Sequence, residues 1–252
     1  MTVSVGEAAR RGRQTLHRLS LDPALHRAVR FAAWFAAGFF LSAASLAQQL
    51  QPFALALLCA LSGVPACMTA LGGALGYWVF WGQGGMQGLF WLAAGLACAL
   101  LVGDRRIARD TPLLMPSIAG LIVAAGGVVF QFFFADETAI PTYLLRVALA
   151  ASCTRLMGVY LAERDTVAGW LVSTVAVLAL AQVAPFAYFD LGYLAAGVLA
   201  VTGAFPAAAL SGLALDLASV TTVPMAAVLS LAYLTRLIPR CLLYTSPSPR
   251  DP

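Results

Sequence analysis

The chain has 252 residues, of which 61% are hydrophobic and only 10% charged, with a mean hydropathy of +0.86. Soluble domains run near half apolar and about a quarter charged, so this composition excludes a soluble enzyme, a disordered tail and a disulfide-stapled secreted domain. The apolar residues fill seven or eight spans of about 20 residues each and leave little for an extramembrane domain. Fifteen basic residues against eleven acidic ones leave +4, and every basic residue is Arg. Six of them, Arg10, Arg11, Arg13, Arg18, Arg27 and Arg30, precede residue 31. Arginines clustered like this at the edge of apolar runs are topology signals, not a nucleic-acid groove.

Residues 1–28 read as a basic arm in which Ser20-Leu21-Asp22-Pro23 caps a short interfacial helix. The first apolar run, 29–47, is long enough to span. Its Ser45-Leu46-Ala47 end mimics a signal-peptidase site, but the long arm and the many later runs favour a retained helix. Runs 52–63 and 64–81 are two short helices or one broken at Ser62-Gly63-Val64-Pro65. A span over 86–102 leads to the charged loop Gly103–Pro112. Spans over 113–134, 141–162 and 167–188 come next, separated by Asp136-Glu137-Thr138 and Glu163-Arg164-Asp165. The stretch 191–237, interrupted at Gly203, Pro206, Gly212 and Pro224, is one long-looped span or three short ones.

The expected fold is all-α: a polytopic bundle of eight to ten spans, several short or broken by Gly and Pro. The topology-setting arginines are Arg10, Arg11 and Arg13 on the arm, Arg105, Arg106 and Arg109 in the loop, then Arg164, Arg236 and Arg240. They are expected on the cytoplasmic side, with the acidic 136–137 loop outside and both termini inside. Gly-x-x-x-Gly spacings at Gly72/Gly76 and Gly84/Gly88 fit close helix contacts, but small residues are so abundant that the matches carry little weight. The likeness between 52–80 and 205–235, both Pro-led and Pro-interrupted, is expected from chance in so restricted an alphabet.

The last twelve residues, 241–252, break the pattern. Codons that fit Cys241 to Asp251 spell a transposon-type sequencing adapter in one frame, so this tail is expected to be artefact and the native chain to continue past Arg240.

No Ser-His-Asp arrangement, paired-carboxylate cleft, phosphate-cradling loop or zinc spacing occurs. Cys59, Cys67, Cys98 and Cys153 lie in apolar runs and read as small packed hydrophobes; His17 and His26 read as solvated or headgroup-facing. No catalytic, cofactor or metal residue is assigned. What remains is intramembrane charge, functional by default because it is costly. Arg146, about five residues from its helix end, is expected to snorkel outward. Arg155, nine positions on, points to the opposite face, roughly 10 Å from the inner end at about 1.5 Å per residue. Asp216 lies in an apolar run with no local basic partner. An Arg155–Asp216 ion pair is therefore expected, serving helix packing in preference to a proton or solute path. Gln48, Gln49, Gln51, Gln131 and Gln182 read as interhelical or interfacial hydrogen-bonders.

The segments Gly38–Leu46, Leu50-Gln51-Pro52-Phe53-Ala54-Leu55-Ala56, the Asp104–Asp110 loop and Ser211-Gly212-Leu213-Ala214-Leu215-Asp216-Leu217-Ala218 before Pro224-Met225 occur in this order. Over roughly residues 25–240, the chain resembles the N-terminal multi-pass membrane region of stage II sporulation protein E. That resemblance implies a membrane anchor of about ten helices, a cytoplasmic regulatory region and a serine phosphatase of the PP2C type. The phosphatase would need Mn or Mg and would act on a phosphorylated anti-sigma factor antagonist, switching on a forespore sigma factor. It implies self-association, a place at the polar division septum and contact with the tubulin-like division ring. None of the phosphatase's metal-binding aspartates has a counterpart here, and Asp216 is not one of them. The fragment itself is expected to hold no cofactor and to bind the lipid bilayer but no nucleic acid. The competing reading is a small-solute transporter or the membrane component of an uptake system, with broken helices around 52–65 and 203–224 framing a midplane site and Arg155 or Asp216 as a ligand.

Overall fold

The computed structural model describes residues 23–45, 51–103, 111–134, 140–163, 166–183, 190–202, 205–218 and 223–235. The fold is all-α, with no strand among these residues. In chain order the helices are α1 (Pro23–Ala43), α2 (Phe53–Cys59), α3 (Gly63–Trp81), α4 (Met86–Val102), α5 (Leu114–Phe134) and α6 (Ile140–Glu163). They continue with α7 (Thr166–Leu180), α8 (Leu191–Thr202), α9 (Phe205–Leu217) and α10 (Met225–Thr235).

Several expected boundaries shift for local reasons. Helix α1 starts at Pro23, where proline's fixed φ and missing N–H are tolerated in a first turn. It then runs unbroken for 21 residues, so the helix begins inside the basic arm and takes in Pro23–Arg30 with no separate short helix there. The 52–81 stretch is two helices, parted at Ala60–Ser62. Helix α7 ends at Leu180 and gives way to a turn at Ala181-Gln182, eight residues before the expected end of that span. The 191–237 stretch resolves into three short helices, α8 to α10.

Helix α2 is the hub. It has seven residues, all buried, and touches α1, α3, α4, α5 and α6. Its sequence, FALALLC, is apolar all round, which suits a helix enclosed on every side. At about 1.5 Å per residue it rises roughly 10 Å, so it covers only part of a crossing.

Around it, α1 and α3 make the most extensive helix pair in the molecule. Thr69 Oγ1 donates to the Trp34 carbonyl at 3.4 Å, and Trp81 Nε1 donates to the Ser42 carbonyl at 2.9 Å. Moving up α1 therefore moves up α3: the two helices run parallel. Helices α3 and α4 form an antiparallel hairpin at the 3-10 turn Gly82–Gly85, where Gly82 adopts φ +51°. Tyr77 lies back over Gly88, and Tyr77 and Leu92 share one buried cluster.

Three stretches are long and apolar enough to cross a membrane: Gly63–Val102, folded on itself at that turn, Leu114–Phe132 and Ile140–Glu163. The interior is built mainly from small residues, among them Ala44, Ala54, Ala56, Ala66, Ala99, Ala119, Ala150 and Ala208. Large apolar side chains face outward: Phe132 is 83% exposed, Leu121 68% and Trp78 67%. That inversion suits hydrocarbon, where packing selects small residues and the outer surface needs no polar face.

Candidate functional site

The expected pair does not form. Arg155 and Asp216 make separate contacts, and no ion pair joins them. Arg155 is exposed, and its Nη1 donates to the Pro112 carbonyl at the start of α5, 3.4 Å away. Asp216, on α9, spreads its carboxylate over the first turn of α10. Oδ1 accepts from Met225 N–H at 2.7 Å and Oδ2 from Ala226 N–H at 3.1 Å. Pro224 precedes that turn, and its φ directs the chain into the helix whose orphan N–H groups Asp216 takes up. A negative charge there also meets the positive end of the helix dipole. Gly212, one turn earlier on α9, makes room: a methyl group there would lie 2.5 Å from Ala226 Cα and from the Met225 carbonyl oxygen. Asp216 thus serves packing with backbone as its partner, in place of the expected ion pair.

Arg146 also departs from expectation. It is 6% exposed and turns into the bundle instead of snorkelling. Its Nη1 donates to Gln87 Oε1 at 2.9 Å, and its guanidinium carbon stands 5.6 Å from the Trp91 ring. Gln87 and Trp91 are four positions apart on α4 and so share a face. Trp91 in turn lies against Gly126 on α5, while Tyr143, one turn before Arg146, covers Gly127 and donates to the Val123 and Ala124 carbonyls. Sequence reasoning missed this cluster because Gln87 and Arg146 are 59 positions apart. The one local signal was the Gln87/Trp91 spacing.

A third polar contact joins two chain breaks. Ser45, just past α1, donates to Gln182 Oε1 at 2.8 Å, and Gln182 Nε2 donates to the Ser45 carbonyl at 2.7 Å. The interhelical reading of Gln182 thus has a specific partner, in the turn that ends α7. Around them Ala44, Phe53, Val177, Ala181, Ala196 and Leu215 pack into one cluster.

The glycine spacings divide. Gly72 and Gly76 sit directly against α1, at the Phe35 carbonyl and at Ser42 with the Phe39 carbonyl, and Gly38 returns the contact against Thr69. Gly88 receives the Tyr77 ring, but Gly84 faces open space. So Gly72/Gly76 is a true helix seat, despite the little weight its sequence match carried.

Cys59 and Cys153 are buried in the core, and among the described residues no three of His, Cys, Asp and Glu come together. Of the topology-setting residues, Arg10, Arg11, Arg13, Arg105, Arg106, Arg109, Arg164, Arg236 and Arg240 lie outside the described residues, as do Gln48, Gln49 and the 241–252 tail. Compared with protein-family models, curated proteins and solved structures, the chain matches none.

Proposed function

We propose that the chain is a membrane-anchoring and localisation region, of the kind found at the N-terminus of stage II sporulation protein E-like phosphatases. In this reading it has no catalysis of its own. One observation carries it: the intramembrane polar groups Asp216, Gln182 and Arg146 are all spent on holding helices to one another. Asp216 closes α10, Gln182 ties α7 to the end of α1, and Arg146 ties α6 to α4. The two best-matching segments of the resemblance are packing elements as well. Pro52-Phe53-Ala54 opens the buried hub helix, and Gly212–Asp216 seats and caps α10.

The helix directions support a single cytoplasmic face. Ser62, Gly103, Pro112 and Ala162 line one pocket and so lie at one end of the bundle. Gly103 and Pro112 flank the arginine-bearing segment 104–110 in sequence, and Ala162 lies two residues before Arg164. The positive-inside bias assigns it to the cytoplasm, where a downstream phosphatase would sit.

The transporter reading retains one favourable observation, the incomplete crossing at Pro52–Cys59. The seven residues of that short helix, however, are all apolar and buried.

Reading the source DNA past the Arg240 codon tests the proposal. An open frame running through one or two more spans into a soluble region with phosphatase-type aspartates is expected. A stop within a helix or two leaves nothing to anchor and favours the transporter. A genomic Cys241–Pro252 would overturn the adapter reading.

A further inference from the structure

Arg155 belongs to two adjoining cavities at once. On one side is a pocket of about 300 Å³, whose wall includes Ser62, Gly103, Thr154 and Gly158. On the other is a groove of about 660 Å³ between α5, α6 and α7, with Leu113, Leu156, Val159, Val167 and Leu171 along it. Pro116, like Arg155, lines both. Leu113 and Val167 are 61% and 55% exposed, so the groove opens sideways, toward where lipid chains lie.

The chemistry of the two parts differs. A guanidinium carries five N–H donors, and Arg155 spends one on a long bond to the Pro112 carbonyl. Among the described residues no carboxylate reaches it, and no acidic side chain lines either cavity. Ser62 heads α3 without capping it, so its hydroxyl faces the same end with no bond to the helix it precedes. The Thr154 hydroxyl is already donated to the Ala150 carbonyl, so the pocket offers positive charge and the Ser62 hydroxyl, while the groove offers a mainly apolar wall. Together they fit a molecule with an anionic phosphate head and an acyl tail.

We infer that this composite site holds an anionic phospholipid, its phosphate on Arg155 and one chain in the α5–α6–α7 groove. Among the described residues neither cavity offers a carboxylate to a choline or amine, so zwitterionic lipid is disfavoured. The apolar groove adds nothing for inorganic phosphate, so a free anion is disfavoured too. Arg155, whose bond to the Pro112 carbonyl is long, thereby has a role.

The full chain, purified in a neutral detergent, is incubated with dioleoyl phosphatidylglycerol or dioleoyl phosphatidylcholine, and retained lipid is counted by native mass spectrometry. Phosphatidylglycerol should be retained several-fold over phosphatidylcholine. Arg155→Gln should erase that preference and Arg155→Lys should keep most of it. Ser117→Trp, which fills the groove without touching the charge, should lower retention of phosphatidylglycerol. Equal retention of the two lipids, or an undiminished preference in Arg155→Gln, overturns the site. Displacement of phosphatidylglycerol by millimolar inorganic phosphate would also overturn it, by showing a soluble-anion pocket. If Arg155→Gln does not fold, the Ser117→Trp and phosphate arms decide. None of these outcomes depends on whether a phosphatase domain lies beyond Arg240.

Discussion

Asp216 and Arg155 carry opposite charges in one apolar chain, yet their surroundings give them unlike energetic weights. Asp216 makes two charge-assisted bonds to backbone N–H groups, each of a kind worth about 1.5–3 kcal/mol. Asp216→Ala should cost about 2 kcal/mol in unfolding of the detergent-solubilised chain, because it strips those donors of their acceptor. Arg155→Ala, at an exposed site with one long bond, should stay within about 0.5 kcal/mol. The double variant should show the sum of the two effects. Coupling above about 1 kcal/mol would restore the ion pair and contradict the separate contacts of the two side chains. Arg146 is a different case: it is buried, hydrogen-bonded and over an indole ring. Arg146→Ala should destabilise by about 2–4 kcal/mol, since it removes a charged hydrogen bond, a cation–π contact and packing together. Gln87→Leu, tested in the same unfolding assay, should cost less than Arg146→Ala but remove most of the coupling between the two residues.

At the scale of elements, glycine placement separates helices that touch from helices that merely neighbour. Gly76 carries α1 almost against its backbone, so Gly76→Val should part α1 from α3 and lower the yield of folded protein. Gly197→Ala meets no atom within 4 Å and should be neutral, or stabilising by up to about 1 kcal/mol through helix propensity. If both substitutions behave alike under thermal denaturation, the α1–α3 seat is not a determinant of folding. These elements also mark how far the sequence could be read. Helices α4, α5 and α6 begin and end within a residue or so of their apolar runs, because charged or Gly/Pro-rich loops bound them. The partner of each helix was not legible. With lipid outside and small residues inside, both faces are apolar and no amphipathic stripe points to the core. For the same reason Gly72/Gly76 could not be told from the chance spacings around it. The Arg155–Asp216 expectation failed because it matched charges to charges, whereas the orphan N–H groups of a short helix are equally good partners for a carboxylate.

Across the whole molecule, composition alone determined the class. An all-helical bundle with large apolar side chains outside and alanine within is what 61% hydrophobic residues and 10% charge require. We propose that this bundle crosses the membrane with the end that carries Ser62, Gly103 and Pro112 in the cytoplasm. A single cysteine introduced at Thr111, or alternatively at Glu137, in a background with the native cysteines replaced, is exposed in intact cells to a membrane-impermeant maleimide. Labelling at position 137 with protection at 111 until the cells are opened is the predicted result. Labelling at 111 in intact cells, or equal labelling at both positions, would contradict the account.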